Sequence, residues 1–180
     1  AELITVSVNL SAKQLAQSDL LTNIDRVLMI TKLEPQSLKL EITESAIVEN
    51  PVTAVRTLQA LHERSITLCI DDFGTGYSSL SYLHRFPVHV FMIDRSFETD
   101  LDSGEKNQEI VNAIIQLAHH LNMETIAEGI ETEAERQVLE RFDCDFGQGY
   151  WFSRPVDGLR ATELLREQFG VLGESMNLTH

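Results

Sequence analysis

The sequence predicts an α/β fold, a (β/α)8 TIM-like barrel that is incomplete at its N-terminus. Strand-like and helix-like segments alternate strictly along the 180 residues, which is typical of parallel strands joined by helices. Polar side chains stand at or just past the ends of six different predicted strands. About six strand–helix units are present, whereas a complete barrel has eight and runs to about 250 residues.

The strands are predicted from short runs rich in β-branched residues. The first run, LITVSVNLS at 3–11, alternates with period 2, so that Ile4, Val6 and Val8 share one side. Because the chain begins inside this strand, we expect an earlier strand–helix portion to be absent. The other predicted strands lie at 38–45, 66–72, 88–94, 123–129 and 144–153.

The helices are predicted between these strands, and several have recognisable first residues. Ser11 and Thr132 are typical N-caps, and Asn50 is a third, followed by Pro51 at the first helical position. The predicted helices span 12–31, 51–64, 78–85, 106–121, 132–141 and 158–169. Residues 170–180 are expected to be a frayed tail, which makes 1–169 the folded domain.

The charge balance excludes some classes of partner. Acidic residues outnumber basic ones by 28 to 14, and the net charge is −14. Binding to DNA relies on clustered Lys and Arg, so we expect no DNA partner. A small anionic ligand is compatible with this charge if divalent cations bridge it to carboxylates.

Other features of the sequence indicate the cellular compartment of the domain. No segment approaches the roughly 20 apolar residues that a membrane helix needs, so we expect no membrane segment in this chain. Cys69 and Cys144 are expected to be reduced, buried thiols. Together these features predict a cytoplasmic domain, even if the full protein is anchored to a membrane.

The positions of the polar residues favour a barrel over a doubly wound sheet. In a doubly wound sheet, ligands gather at one point where the strand order reverses. Here every predicted strand contributes, which suits a closed barrel with its active face at the C-terminal rim. The residues at the strand ends are Asn9, Glu41, Glu44, Asp71, Asp72, Asp94, Glu128 and Gln148.

Several carboxylates at one mouth would repel each other, and divalent cations would relieve that repulsion. Oxygen ligands from Asp, Glu and Asn are those that Mg²⁺ and Mn²⁺ prefer. Two such ions sharing a carboxylate commonly serve displacement at a phosphoryl centre. For Asp71 and Asp72 alone, the alternative is a solvated turn before Gly74.

Six motifs, in this order, closely resemble the EAL domain family of bacteria: VSVNLSA, LEITES, DDFGTGYSSL, IDRSF, AEGIET and GQGYWFSRP. The resemblance covers the chain to about residue 156. It implies a (β/α)8 barrel that hydrolyses the second messenger cyclic di-GMP to pGpG with two Mg²⁺ or Mn²⁺ ions. It also implies a homodimer formed through the DFGTGYSSL region, and an upstream sensor or diguanylate cyclase-like domain.

The resemblance implies a role for each matching position. The implied metal ligands are Asn9, Glu41, Asp71, Asp72, Asp94 and Glu128, with Asp71 bridging the two ions. The implied catalytic residues are Glu128, Gln148 and Asp72. The residues implied to support the DFGTGYSSL loop are Glu44, Glu131, Gly74 and Gly76, and those implied to bind substrate are Gln148, Arg154 and Pro155.

Two departures from the family pattern concern activity. The Glu-Ala-Leu motif that supplies a further metal ligand does not occur in the chain, and Met92 stands where the family has a lysine. By period 2, Met92 shares its face with Asp94, and a thioether cannot donate the hydrogen bonds of an ammonium. Lys39 shares the face of Glu41, two residues earlier.

We therefore expect the chain as given to be inactive. The alternative to a phosphodiesterase is a catalytically degenerate domain that acts as a cyclic di-GMP receptor or a protein-interaction module. A third hypothesis is another two-metal barrel hydrolase.

Overall fold

A computed structural model of the chain describes residues 4–49, 51–71, 86–95 and 105–169. These residues form one parallel sheet of six strands, in which each strand lies beside the next one along the chain. The predicted alternation of parallel strands and helices is confirmed. The strands are β1 (Val6–Asn9), β2 (Leu38–Thr43), β3 (Thr67–Asp71), β4 (Val90–Ile93), β5 (Glu124–Ala127) and β6 (Phe146–Gly147).

Helices connect the strands wherever the link is described, which leaves out the link between β3 and β4. The α-helices are α1 (Ala12–Leu15), α2 (Leu20–Thr31), α3 (Glu44–Glu49), α4 (Pro51–His62), α5 (Glu105–His120), α6 (Glu133–Arg141) and α7 (Gly158–Phe169), with a short 3-10 helix at Pro35–Ser37. Ser11 and Thr132 each form a capping box, as predicted. The helix predicted at 78–85, the cap at Asn50 and the tail at 170–180 lie outside the described residues. No helix that the structure describes is long and apolar enough to cross a membrane.

The sheet is curled into a half-barrel rather than flat. One contact shows the curl directly: the Nζ atom of Lys39 on β2 lies 5.2 Å from the ring centroid of Phe146 on β6. In the order of the sheet, three strands separate β2 from β6. A side chain can bridge them only because the sheet bends toward itself, so one face is concave and the other convex.

The convex face holds most of the hydrophobic core. Alternate residues of the strands point to this side and pack against the helices. Leu68 and Phe91 on the sheet, and Leu58 and Leu61 on α4, are all fully buried. The helices therefore anchor the sheet from outside and leave its concave face for other groups.

The helix predicted at 12–31 is wrong in one respect, because the structure divides it into α1 and α2. Leu15 and Leu20 are both buried, but residues five apart on one helix point about 140° away from each other. The break lets both leucines face the core. Ser18 and Asp19 suit the intervening turn, and the Asp19 carboxylate accepts a hydrogen bond from Asn23 in α2.

Each predicted strand extends beyond the observed one, and two of them show the reason. The strand predicted at 38–45 ends at Thr43, whose hydroxyl accepts a hydrogen bond from the Ala46 amide, and Glu44 begins helix α3. The strand predicted at 144–153 is reduced to Phe146–Gly147, because the chain then turns back on itself. The turn is held by the Trp151 amide, which donates to the Ile130 carbonyl.

Candidate functional site at the concave rim

The polar residues predicted at the strand ends lie along the C-terminal edge of the sheet. Asn9 and Glu41 are register partners on β1 and β2, so their side chains share the concave face. Asp71 is the last residue of β3 and pairs with Thr43. Three further residues come directly after the next strands: Asp94 after β4, Glu128 after β5 and Gln148 after β6.

Electrostatics at Glu128 show that these residues converge. Burial and, in decreasing order of strength, the carboxylates of Asp71, Glu41 and Asp94 together raise the pKa of the Glu128 carboxyl to about 7. Only Gln148 opposes this, because its side-chain amide donates a 2.7 Å hydrogen bond to the Glu128 Oε1 atom. The structure thus brings residues from β2, β3, β4, β5 and β6 to one acidic rim.

An ion pair joins two loops of this rim. The Arg95 guanidinium, next to Asp94, contacts the Glu131 carboxylate at 2.6 Å. The Arg95 side chain crosses the backbone of Gly129, where an added Cβ would lie 2.6 Å from the Arg95 Cγ atom. Gly129 also has a φ of +76°, which favours glycine. Sequence reasoning missed this contact, and the only signal was the glycine in the AEGIE segment.

A cleft of about 980 Å³ opens beside Glu128 and Gln148, between the turn after β6 and helix α7. Arg154 and Pro155, both predicted to bind substrate, line it. The Arg154 guanidinium lies 4.7 Å from the ring centroid of Tyr150, a distance typical of a cation–π contact. The cleft therefore offers an aromatic ring and a cation next to the acidic rim.

Met92 lies on the concave face below the rim, as the two-residue period of its strand predicts. It is fully buried in a small apolar cluster on the concave face with Cys69, Val90 and Ile126. Burial raises the pKa of the Cys69 thiol to about 12, so this thiol is protonated at neutral pH. The interior just beneath the acids is therefore apolar on β3, β4 and β5.

Some predicted site residues cannot be placed. Asp72, Gly74 and Gly76, and the DFGTGYSSL loop with its expected role in dimerisation, lie outside the described residues. Glu44 is half-buried at the start of α3, and the carboxylate of Glu131 is held by Arg95. Their predicted support of that loop stays a prediction.

The oxygen atoms of the rim side chains are ligands of the type that a hard divalent cation prefers. The rim offers carboxylate and amide oxygens, and the raised pKa of Glu128 records repulsion that a cation would relieve. Within the part of the chain that the structure describes, no three His, Cys, Asp or Glu side chains are grouped closely enough to hold an ion. A complete ligand set would therefore need donors beyond these, such as the Asn9 amide and Asp72.

Comparison with known proteins gives consistent matches. The model of the EAL domain family matches residues 1–155. The cyclic di-GMP phosphodiesterase NbdA of Pseudomonas aeruginosa is 39% identical over 165 residues, which is 92% of this chain and 21% of that protein. The EAL domain of Mycobacterium smegmatis DcpA superposes with a TM-score of 0.86 at 38% identity, over 91% of this chain and 74% of that one.

A ligand-bound structure is also similar. The phosphodiesterase MucR of Pseudomonas aeruginosa, in complex with c-di-GMP, has a TM-score of 0.83 at 39% identity, over 87% of this chain and 64% of that one. The chain spans about a fifth of the length of the curated relatives it matches.

Proposed function

The chain belongs to the EAL domain family, and from that premise we propose that its concave rim binds cyclic di-GMP and hydrolyses it to pGpG. The observation that carries the proposal is the convergence at Glu128. Its half-buried carboxylate is repelled by Glu41, Asp71 and Asp94 and is held by Gln148. Phosphodiesterases of this family depend on metal ions, and an acidic rim of this kind suits both ions and their phosphodiester ligand.

The rim geometry supports an assignment of the metal ligands. We assign Asn9, Glu41 and Asp71 to one ion, since the first two are register partners and Asp71 lies on the next strand. Asp71, Asp72 and Asp94 are assigned to the second. Mg²⁺ or Mn²⁺ suits this all-oxygen set. When bound, such ions supply charge neutralisation at the phosphate and lower the pKa of bound water.

The remaining rim residues have separate tasks. Glu128, whose pKa is about 7, exchanges a proton readily near neutral pH and is suited to act as a general base toward water. The Gln148 amide orients this carboxylate through its 2.7 Å hydrogen bond. Arg154 and Tyr150 in the adjacent cleft would receive a base or phosphate of the dinucleotide, because an aromatic ring and a guanidinium recognise both.

One observation favours a second function, a receptor that binds cyclic di-GMP without turnover. Met92 is fully buried on the concave face, two residues before Asp94, and it brings no charge or hydrogen-bond donor there. Binding could survive this loss while hydrolysis weakens.

The test is the conversion of cyclic di-GMP to pGpG by the full-length protein that contains this chain, with Mg²⁺ or Mn²⁺ and with EDTA. Turnover that needs the metal supports the phosphodiesterase, and Glu128→Gln should abolish it. Metal-dependent binding without turnover in the wild type, with turnover restored by Met92→Lys, supports the receptor. Met29→Lys is the matched control, because Met29 is exposed on α2. A wild type that neither binds nor hydrolyses cyclic di-GMP contradicts both functions.

We also propose that this domain belongs to a longer, cytosolic protein with further domains. The length of the relatives suggests a longer protein, for which an upstream sensor or cyclase-like domain is the expected addition. Cys69 and Cys144 form no disulfide with each other in the described part of the chain, which fits a reducing, cytosolic compartment.

A further inference from the structure

The concave face carries many more acidic than basic side chains. Rows of register partners show which side chains share this face. In these rows of the described strands, and in the residues that directly follow them, the only basic side chain is Lys39 on β2. The acidic side chains on the same face are Glu41, Asp71, Asp94, Glu124 and Glu128.

The position of the Lys39 ammonium is defined by an aromatic ring. Its Nζ atom lies 5.2 Å from the centroid of the Phe146 ring, within the range of a cation–π interaction. Phe146 is the register partner of Ile126, which is in turn the partner of Met92. The lysine side chain therefore reaches across the concave face to the row that contains Met92.

A second observation places this ammonium among the acids. Lys39 precedes Glu41 by two residues on the same face of β2. The row of register partners through Glu41 continues across Cys69 and Val90 to Glu124, and the next row contains Asp71. The register therefore places the lysine on the same face as three acidic residues in neighbouring rows, where opposite charges attract.

We propose that Lys39 supplies a positive counter-charge on the concave face. This charge weakens cation binding at the acidic rim and strengthens binding of the anionic dinucleotide. Lys39 acts at a distance through its charge, and Phe146 holds its ammonium in place. The inference rests on the proposed function for the identity of the anionic ligand. The expected effect of Lys39 on cation binding rests on the charge distribution alone and does not depend on the identity of the ligand.

The proposal predicts opposite effects on two affinities. Lys39→Met removes a positive charge while keeping an apolar side chain of similar reach. Affinity for Mn²⁺ should rise and affinity for cyclic di-GMP should fall, each by roughly tenfold or more, since unit charges on the order of 10 Å apart interact by roughly this much at an effective dielectric constant of about 20. A lysine that served only packing would weaken both affinities together when replaced.

The experiment uses the full-length protein and calorimetric titration. Mn²⁺ is titrated first in the absence of nucleotide, and cyclic di-GMP is then titrated at saturating Mn²⁺, over times too short for pGpG to form. Lys39→Arg should keep both wild-type affinities because it keeps the charge. Lys13→Met is the matched control for loss of one lysine, because Lys13 is exposed on α1, and it should leave both affinities unchanged.

The outcomes separate this inference from the proposed function. Tighter Mn²⁺ binding with weaker cyclic di-GMP binding in Lys39→Met supports the counter-charge. A parallel fall in both affinities, or no change in either, overturns it. If the wild type binds Mn²⁺ but not cyclic di-GMP, the proposed function fails, and the Mn²⁺ titration of Lys39→Met still decides the role of Lys39.

Discussion

The two faces of the same sheet differ in what they carry at the C-terminal ends of the strands. On the convex face, Leu68, Phe91 and Ile93 are almost fully buried against helices. On the concave face, the strand residues next to them end in Asp71 and Asp94, which are only half-buried and lie among other acids. The period of 2 along each strand divides the sequence into one set of positions that packs against the helices and another that ends in the acidic rim.

Stability and chemistry therefore reside on different parts of the sheet. Burying apolar area on the convex face lowers the free energy of the folded state, whereas each ionised acid on the concave face raises it. Substitutions on the two faces should therefore separate into those that unfold the protein and those that spare or stabilise it while abolishing binding. The expected effect of a substitution on stability decreases from the convex face to the rim.

The largest effect is expected on the convex face. Leu68→Ala should lower the free energy of unfolding by about 3–5 kcal/mol, because a fully buried leucine leaves a cavity against the helices. Chemical denaturation of the full-length protein's EAL domain measures it. Leu159→Ala is the matched control, since Leu159 is 82% exposed, and it should change stability by less than about 0.5 kcal/mol. Equal losses in both variants would show that burial on the convex face does not set the stability.

The second effect is a dependence on pH from the concave face. The pKa of Glu128 is raised from 4.5 to about 7, so the folded protein binds more protons than the unfolded chain between these values. In metal-free protein, the free energy of unfolding should fall as pH rises through this window, by no more than about 3 kcal/mol in total.

Thermal melts at a series of pH values with EDTA measure this slope. Glu128→Gln should flatten it and stabilise the protein near pH 7, whereas Glu49→Gln, on an exposed residue of α3, should keep it. A slope of opposite sign, or one that Glu128→Gln leaves intact, would show that burial and repulsion do not act on Glu128 as described.

The third effect concerns the loops that join the rim. Gly129→Ala should cost roughly 1–3 kcal/mol, because alanine resists the positive φ and its Cβ would collide with Arg95. In an Arg95→Ala background the collision is absent, so the cost should fall toward about 1 kcal/mol. A double-mutant cycle on melting free energies checks this, and strict additivity of the two substitutions would contradict the contact.

The smallest effect on stability is expected for a rim acid itself. Glu41→Gln should change the free energy of unfolding by less than about 1 kcal/mol, because it removes a repelled charge and keeps the side-chain volume. Its affinity for Mn²⁺ should nevertheless fall at least about tenfold, since cation affinity follows the charge of the ligands. Glu49→Gln serves again as control and should leave Mn²⁺ affinity unchanged.

Much of this division could be predicted from the sequence. Strict alternation predicts that Glu41 and Met92 face inward and that Leu68 faces the helices, since strand periodicity depends on local geometry alone. The break between α1 and α2 could not be predicted, because it depends on where the core meets Leu15 and Leu20.

The contacts between distant elements were also beyond the sequence. The Arg95–Glu131 pair depends on how closely two loops approach over Gly129, and the reach of Lys39 to Phe146 depends on the curl of the sheet. Period 2 places Lys39 on the concave face but does not say how far across that face its side chain extends.

The most direct test of the account is a calorimetric titration of cyclic di-GMP into the full-length protein, with Mn²⁺ or Mg²⁺ present and then with EDTA. The account predicts saturable binding that requires the cation and is lost in Glu41→Gln, with Glu49→Gln behaving as the wild type. Equal binding in EDTA and in Glu41→Gln would contradict it, because the ligand would then be held somewhere other than the acidic rim of the concave face.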